Sequence, residues 1–394
     1  MGSLLSQVNA VIIMNIRSLP QRIWMSLAMV ISSSVVVAIL LAFLAMAKGF
    51  DATLSSAGAQ DVAIFMREGT TSELGSSISR EQANLVGDAP GVIKDGEGPI
   101  SSGEIYVIVD GTKKSSQTDA NIPLRGIGFR GIEMRQNVVL IQGRMFTPGT
   151  NELIVGAGII REFDGFNLDQ EVKFGKNIWK VVGVFSSGGS VFESEIWADI
   201  RVIQSLYNRS GFQTVRVKIS SENDIETIKA YVENDPRLNL LVQTEQSYFQ
   251  EQGKQLGYMA LFGRVISMVM ALGAIAGALN TMYTSVSERA REMATLRAIG
   301  FSSLSSFVGT LFEAMVLAVI GGVIGSLAAF LLFDGLNAST LGGGFTQVVF
   351  SFELGIDLFF QGATMALAIG FISGFFPAWK AAKLPVAVAF SNAA

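Results

Sequence analysis

The sequence predicts an α-helical membrane protein: four transmembrane helices in one-plus-three order, with a large α/β extracytoplasmic domain. Three observations carry this reading. Hydrophobic residues make up 49% of the 394 residues and charged residues 16%, against the roughly 25% charge of a soluble domain; the mean hydropathy is +0.44. Four stretches reach the ~20 largely apolar residues that a bilayer span requires. Between the first and second of them, residues 50–255 carry mixed charges, Pro-Gly turns and short alternating runs, the texture of a globular domain.

Taken in order, residues 1–25 read as a cytoplasmic amphipathic segment, followed by a first transmembrane helix at 26–49, whose run "SLAMVISSSVVVAILLAFLAMA" (Ser26 to Ala47) has no charge. Its "AMA" end fits a signal-peptidase site, but the apolar run exceeds the 7–15 residues of a leader, which favours an anchor. "MGSLLS" fits a myristoylation pattern, read as coincidence in a chain with this many anchors.

In the domain at 50–255, "TVRVKIS" alternates Val215, Val217 and Ile219 as a strand does, "NDIETIKAYVEND" follows as a helix with Asn223 as N-cap, and "LNLLVQT" returns as a strand. "DVAIFMR", "SREQANLVGDAPGV" and "EIYVIVD" make a second β-α-β unit, and "EVKFGKNIWKVVGVF" reads as a hairpin turning at Gly175-Lys176. The expectation is an α/β lobe with an inserted β-rich lobe.

The remaining segments are a second transmembrane helix at 256–284, a charged stretch at 285–303, a third helix at 304–333, an extracytoplasmic loop at 334–355, a fourth helix at 356–379 and a cytoplasmic tail at 380–394. Arg17 and Arg22, Arg289, Arg291 and Arg297, and Lys380 and Lys383 fall on one side, and the 334–355 loop has no Lys or Arg. Basic residues mark the cytoplasmic side. Both termini and the 285–303 stretch are therefore expected in the cytoplasm, and the large domain outside it, in a multi-pass inner-membrane protein.

The chain has no Cys and no His. That removes disulfides, thiolate catalysis, Cys-ligated zinc and the commonest general base. A net charge of −4 implies no nucleic-acid surface. No G-x-x-x-x-G-K-[ST] phosphate loop occurs, so ATP hydrolysis is not expected of this chain. "GIGFRG" (Gly126 to Gly131) matches G-x-G-x-x-G but lacks the strand-then-helix context of a dinucleotide site. "VVGVFSSGGSVFESEIWADI" (Val181 to Ile200) reads as a structured Gly/Ser turn or a partner-contacting loop bearing Phe192 and Trp197.

"SVSERAREMATLRAIGFSS" (Ser285 to Ser303) is a compact charged helix between two apolar runs. Ser285 and Glu288 form an S-x-x-E capping box, and Gly300 stands where a glycine ends a helix. Glu288–Arg291 and Arg289–Glu292 are i,i+3 pairs, while Val286, Ala290, Met293 and Leu296 share a face. Two readings stand: an interfacial helix gripping membrane lipids, and a docking element for a cytoplasmic protein, which the acidic Glu288 and Glu292 favour because anionic lipid repels them.

Glu313 inside the third helix has to snorkel or pair with a basic residue near the cytoplasmic end, and is a candidate for transmission. Gly273 and Gly277, Gly321 and Gly325, and Gly370 and Gly374 place small-residue ridges on three helices, for packing within the four-helix unit or for contact with a second copy.

These residues resemble the coupling-helix signature of the MacB/FtsX-like (type VII) ABC transporter permeases, which commonly reads S-V-x-E-R-x-x-E-I-x-x-x-R-A-I-G. The matching positions are Glu288, Arg289, Glu292, Arg297, Ala298, Ile299 and Gly300, with Met293 in place of the usual Ile or Val. "FEAMVLAVIGGVIG", through Glu313, Ala314, Gly321, Gly322 and Gly325, and "FPAWKAAKLPVAVAF", through Pro377, Ala378, Ala381, Ala382 and Pro385, are similar to the family's later patterns. The tail is poorer in Arg than is usual, and the extracytoplasmic domain has diverged.

The resemblance implies a porter-like α/β lobe with an inserted sabre lobe, and a non-enzymatic permease that works as a homodimer. It further implies a cytoplasmic ABC ATPase partner that binds ATP and Mg, no cofactor in this chain, and ATP-driven motion passed through the coupling helix to the external domain. Three outputs remain open: extrusion with a periplasmic membrane-fusion protein and outer-membrane channel, lipoprotein extraction, and regulation of a cell-wall hydrolase. A membrane-anchored sensor is the alternative from another class.

Overall fold

The computed structural model describes residues 4–135, 137–341 and 347–383. Helix α1 (Leu4–Ser18) leads through a 3-10 turn at Leu19–Arg22 into the long α2 (Ile23–Ser55). The α/β region opens with β1 (Val62–Arg67), a 3-10 turn at Glu73–Gly75, α3 (Arg80–Gly87), and the short β2 (Lys94–Asp95) and β3 (Gly98–Pro99). It continues through β4 (Ser101–Thr112), β5 (Asp119–Ile127), α4 (Phe129–Glu133), β6 (Val139–Gly143), β7 (Glu152–Gly156) and α5 (Ala157–Glu162). Then follow β8 (Glu171–Phe174), β9 (Asn177–Ser186), β10 (Ile196–Asp199), α6 (Ile200–Leu206), β11 (Thr214–Lys218), α7 (Asp224–Asn234) and β12 (Leu240–Thr244). The chain closes with α8 (Glu245–Glu288), α9 (Ala290–Ala298), α10 (Ser303–Phe333), the hairpin β13 (Asn337–Leu341) and β14 (Gln347–Ser351), and α11 (Ile356–Lys383). Pro385 of the tail pattern lies outside the described residues.

Two compact units result, one of membrane helices and one formed by Lys48–Gly257 together with the β13–β14 strands. In the second, the strand order is β12-β1-β11-β4-β5-β10-β7-β9-β6, with β8 beside β9. Strand β4 is shared: Ser101–Glu104 pair with β11, and Ile105–Thr112 pair with β5. On either side of that change of partner lies a separate apolar core. One gathers Phe65, Val86, Val215, Val217, Ile228 and Val242 beneath α3 and α7. The other gathers Ile105, Leu124, Leu153, Phe163, Trp179, Val184 and Ile196. These are the α/β lobe and the β-rich lobe.

Both β-α-β units form, and β8 and β9 make the hairpin, with Phe174 opposite Asn177. Asn223 precedes α7 but makes no side-chain cap bond; the Asp224 carboxylate instead accepts from the Ser221 N–H at 2.8 Å. "NIPLR", whose Pro argues against a strand before the G-x-G-x-x-G match, lies inside β5. Pro123 is tolerated there because β10 pairs β5 only over Leu124–Ile127. Gly126 and Gly131 serve close packing: a Cβ at Gly126 would meet Ile203 at 3.1 Å, and one at Gly131 would meet Ser102 at 2.4 Å. The segment at 334–355 is more than a loop. Its Val349 N–H donates to Ser194 Oγ at 2.9 Å, and the Val349 side chain joins the core of the β-rich lobe.

Among the described residues of the helical unit, four helices are long and apolar enough to cross a membrane. Helix α2 packs on α10 through Ser33 Oγ, which donates to the Ala318 carbonyl at 3.1 Å, and Ser34 Oγ, which donates to that of Gly321 at 2.8 Å. Apolar layers of Met29, Met282 and Leu317, of Val36, Ala274 and Ile369, and of Leu41, Ala329 and Leu358 fill the bundle.

Candidate functional site

Helix α8 does not stop at Ser285. It runs to Glu288, breaks at Arg289 (φ −95°, ψ 9°) and resumes as α9. The capping box expected at Ser285 is therefore absent: a helix arriving from the span already supplies the carbonyls that a cap would replace, and Ser285 Oγ instead accepts from Arg22 Nη1 at 2.9 Å. The C-terminal end follows the sequence. Gly300 takes φ +104°, its N–H donates to the Arg297 carbonyl at 3.1 Å, and the Phe301 N–H donates to that of Leu296 at 3.0 Å. This is the paired bond pattern of a left-handed glycine cap. Ser302 then opens α10, its hydroxyl accepting from the Ser305 N–H at 3.1 Å and its own N–H donating to Gln7 Oε1 at 3.0 Å.

The key group is Arg289, which is 1% exposed. Its Nη1 donates to Glu313 at 3.0 Å, its Nε to Glu292 at 3.2 Å, and its Nη2 to Asn15 Oδ1. One side chain thus ties the α8–α9 break to α1 and to the acid inside α10. Val286 and Met293 are buried beside Ala381. Arg297 is half-buried, and its Nη1 donates to the Ala382 carbonyl at 3.3 Å. Glu288, Arg291, Glu292, Ala298 and Gly300 are exposed, as is Ile299 at 70%. The signature therefore divides into a pinning residue, Arg289, and an open face carrying two acids and one bare isoleucine. Glu313 finds the basic partner that a charge in a span needs.

The glycine ridges divide too. A Cβ at Gly321 would meet the Val30 carbonyl at 2.6 Å, and one at Gly325 that of Ser34 at 2.3 Å, both on α2. Gly370 and Gly374 sit against Ala318 and Ala314 of α10 at 2.7 and 2.6 Å. Among the described residues, a Cβ at Gly273 or Gly277 would meet nothing within 4 Å. Packing within the four-helix unit does not extend to them, because α8 turns this ridge away from its neighbours.

The α/β unit holds a second charged cluster that the sequence did not single out. Arg125 on β5 donates from Nε and Nη2 to Glu195 at 2.7 and 2.6 Å, and from Nη1 to Glu73 at 2.7 Å and Glu104 at 2.8 Å. Arg216 on β11 reaches Glu104 at 2.6 Å, Glu245 at 2.8 Å and Glu73 at 3.0 Å. Arg135 forks onto Glu104 with two bonds of 2.8 Å, and the Trp197 indole donates to Glu195 at 2.7 Å. All of these side chains are buried. Burial alone would raise the Glu104 carboxyl; Arg135, Arg216 and Arg125 more than reverse this and hold it at about 2. Glu73 is likewise held far below the carboxylate range by Arg125 and Arg216, against its burial. Arg135 and Glu245 also line a polar cleft of about 420 Å³ with Gln60, Asp61, Asn137 and Ser187. Phe192 and Trp197 of the Gly/Ser segment are buried, as befits a structured turn.

Among known proteins, residues 24–235 match the family model of a MacB-like periplasmic core domain, and residues 264–386 match that of an FtsX-like permease C-terminal region. An uncharacterized ABC transporter permease of Methanocaldococcus jannaschii is 26% identical over 55% of this chain and 57% of its own. The uncharacterized ABC transporter permease YknZ of Bacillus subtilis is 26% identical over 68% of this chain and 69% of its own. A macrolide export ATP-binding/permease protein MacB of Nitrobacter winogradskyi is 34% identical over 45% of this chain, which spans only 27% of that protein's length.

Proposed function

Because this chain belongs to the MacB/FtsX-like family of ABC transporter permeases, we propose that it receives motion from a separate cytoplasmic ABC ATPase at α9 and passes it to its α/β unit, driving extrusion of a substrate. On this reading ATP and Mg stay on the ATPase, and this chain holds no cofactor and hydrolyses nothing. It sits in the inner membrane as a homodimer with both termini and α9 in the cytoplasm and the α/β unit outside, where a periplasmic membrane-fusion protein and an outer-membrane channel complete the path. The size of the α/β unit favours extrusion over control of a cell-wall hydrolase.

One observation carries the reading: Arg289 pins α9 to α1 and α10 while Glu288, Glu292 and Ile299 are exposed at its open face. A pinned helix moves its neighbours when pushed. An open face with acids beside an apolar residue suits a protein socket, where a broken desolvated charge pair costs about 2–5 kcal/mol.

The test is recovery of the partner ATPase on wild-type chain and on Glu288→Lys/Glu292→Lys, with membrane insertion followed in parallel. Recovery is expected to fall at least tenfold with insertion unchanged. Undiminished recovery sinks the docking assignment and leaves α9 an interfacial helix, which added lysines would hold more tightly at about 1 kcal/mol each.

A further inference from the structure

The buried charges of the α/β unit lie where its two cores separate. Strand β4 pairs into both lobes, and Glu104 is the last residue it pairs with β11 before β5 takes over. Arg216 and Glu245 belong to the α/β lobe, as β11 and the start of α8 beyond β12. Arg125 and Glu195, on and beside β5 and β10, belong to the β-rich lobe. Glu73 and Glu104 stand between them. Each carboxylate accepts from Arg125 of one lobe and Arg216 of the other. An apolar layer at this place would permit the lobes to slide, since hydrophobic contact has no direction. Forked guanidinium–carboxylate bonds fix distance and angle together.

We infer that this cluster is an ionic joint that locks the two lobes into a single body, with Glu73 and Glu104 as the bridging residues, and fastens the locked body to the first turn of α8 through Glu245. The inference goes beyond the transport reading and concerns this unit whether or not an ATPase drives it. Removing a bridging carboxylate leaves Arg125, Arg135 and Arg216 facing one another with fewer counter-charges, so the joint is pushed open rather than merely loosened. Removing one of the arginines as well restores the balance.

A chain without cysteine accepts site-directed spin labels cleanly. The full chain in nanodiscs carries one label pair across the joint, Lys176→Cys with Thr227→Cys, and one pair within the α/β lobe, Glu81→Cys with Thr227→Cys. Pulsed electron-electron distance measurement is expected to give narrow distributions for both pairs. Glu73→Gln is expected to widen the cross-joint distribution at least twofold and to leave the within-lobe pair narrow, and Glu73→Gln/Arg216→Met to narrow the cross-joint pair again. An unchanged cross-joint width in Glu73→Gln with a narrow within-lobe pair overturns the joint, as does a failure of the double variant to narrow it. If Glu73→Gln does not fold, Glu73→Asp, which keeps the charge but draws this bridging carboxylate back by one methylene from Arg125 and Arg216, is measured with the same labels, and an unchanged cross-joint width there also overturns the inference.

Discussion

Arg289 in the helical unit and Arg125 in the α/β unit are both buried and both hydrogen-bonded through every nitrogen of the guanidinium, yet they are held differently. Arg289 leans on one buried acid, one exposed acid and one amide. Arg125 leans on three buried acids, of which Glu73 is shared with Arg216 and Glu104 with both Arg135 and Arg216. The first is a single pin between helices; the second is a mesh. A pin fails at one point, whereas a mesh loses one bond and keeps its shape until a shared member goes. The difference predicts where each region is weakest.

The largest effect is expected at Glu104, the acid shared by three arginines. Breaking one buried ion pair by removing a partner costs about 3–5 kcal/mol, and Glu104→Gln uncovers three guanidiniums at once, so the loss lies at or above that range. Thermal unfolding followed by Trp179 and Trp197 fluorescence, both buried in this unit, measures it. A loss below about 1 kcal/mol, the scale of exposed pairs, would show that the mesh is not a unit.

The same acid sets a pH window. Glu104 titrates at about 2 in the folded protein, below the ~4.3 of an unfolded glutamate. A depressed folded value means that the unfolded chain binds the proton first as pH falls. The stabilisation is fully present above about 4.3 and lost progressively from there to about 2. Unfolding midpoints of the α/β unit are expected to be flat from pH 7 to 5 and then to drop steeply. Glu104→Gln should remove part of that drop, and an identical acid limb in the variant would break the assignment.

Next in size comes the pin. Arg289→Met leaves Glu313 without its cation inside a span, with an expected loss of about 3–5 kcal/mol. Arg289→Met/Glu313→Leu removes both charges and is expected to recover most of it, since apolar replacement of a whole buried pair is often neutral. Protease resistance of the membrane-inserted chain reads both. A double variant no better than the single one would place the pin's worth in something other than the ion pair.

The sequence showed these two regions unequally, and the reasons are physical. Spans, β-α-β units, the β8–β9 hairpin and the Gly300 cap are written in local periodicity and local turn chemistry. Glu313 announced its need for a cation because a carboxylate in a span is expensive, and Arg289 lies only one loop away in sequence. Arg289 itself reads as an exposed member of an i,i+3 pair, and its burial follows from α1 covering it, a contact made by Asn15 from the far end of the chain. The mesh had no local signal. In "TVRVKIS" the alternation puts Val215 and Val217 inward and Arg216 outward, yet Arg216 is 0% exposed. The outward face of β11 is covered by the Glu73 turn and the start of α8, segments 143 and 29 residues away in sequence. Alternation reports one buried face and is silent about a second.

A smaller effect separates the glycines. Gly325→Ala drives a methyl into the Ser34 carbonyl at 2.3 Å, an overpacking that costs about 1–3 kcal/mol. Gly277→Ala meets nothing within 4 Å among the described residues and gains up to about 1 kcal/mol of helix propensity. Opposite signs in the thermal midpoint are expected. A loss of stability in Gly277→Ala would mean that the open ridge on α8 is occupied by a second copy or another partner.

The smallest effect sharpens the comparison most, because it is read on the same guanidinium. Arg289 touches two acids, Glu313 with a side chain 5% exposed and Glu292 with one 57% exposed. The distances differ little, 3.2 Å to Glu292 and 3.0 Å to Glu313, so any difference in worth comes from solvent. Water around Glu292 screens its charge and replaces its bond when the bond is lost, and exposed pairs contribute about 0–1 kcal/mol. Glu292→Gln is therefore expected to cost below about 1 kcal/mol, while Glu313→Gln strips Arg289 of its one buried counter-charge and costs several times more. Salt separates the two as well, since 1 M salt shortens the screening length to about 3 Å and acts on exposed groups first. The Glu292→Gln deficit should vanish in high salt and the Glu313→Gln deficit should persist. Equal deficits with equal salt response would mean that the protein holds Glu292 as dry as Glu313, and α9 would then have no open acidic face to offer an ATPase.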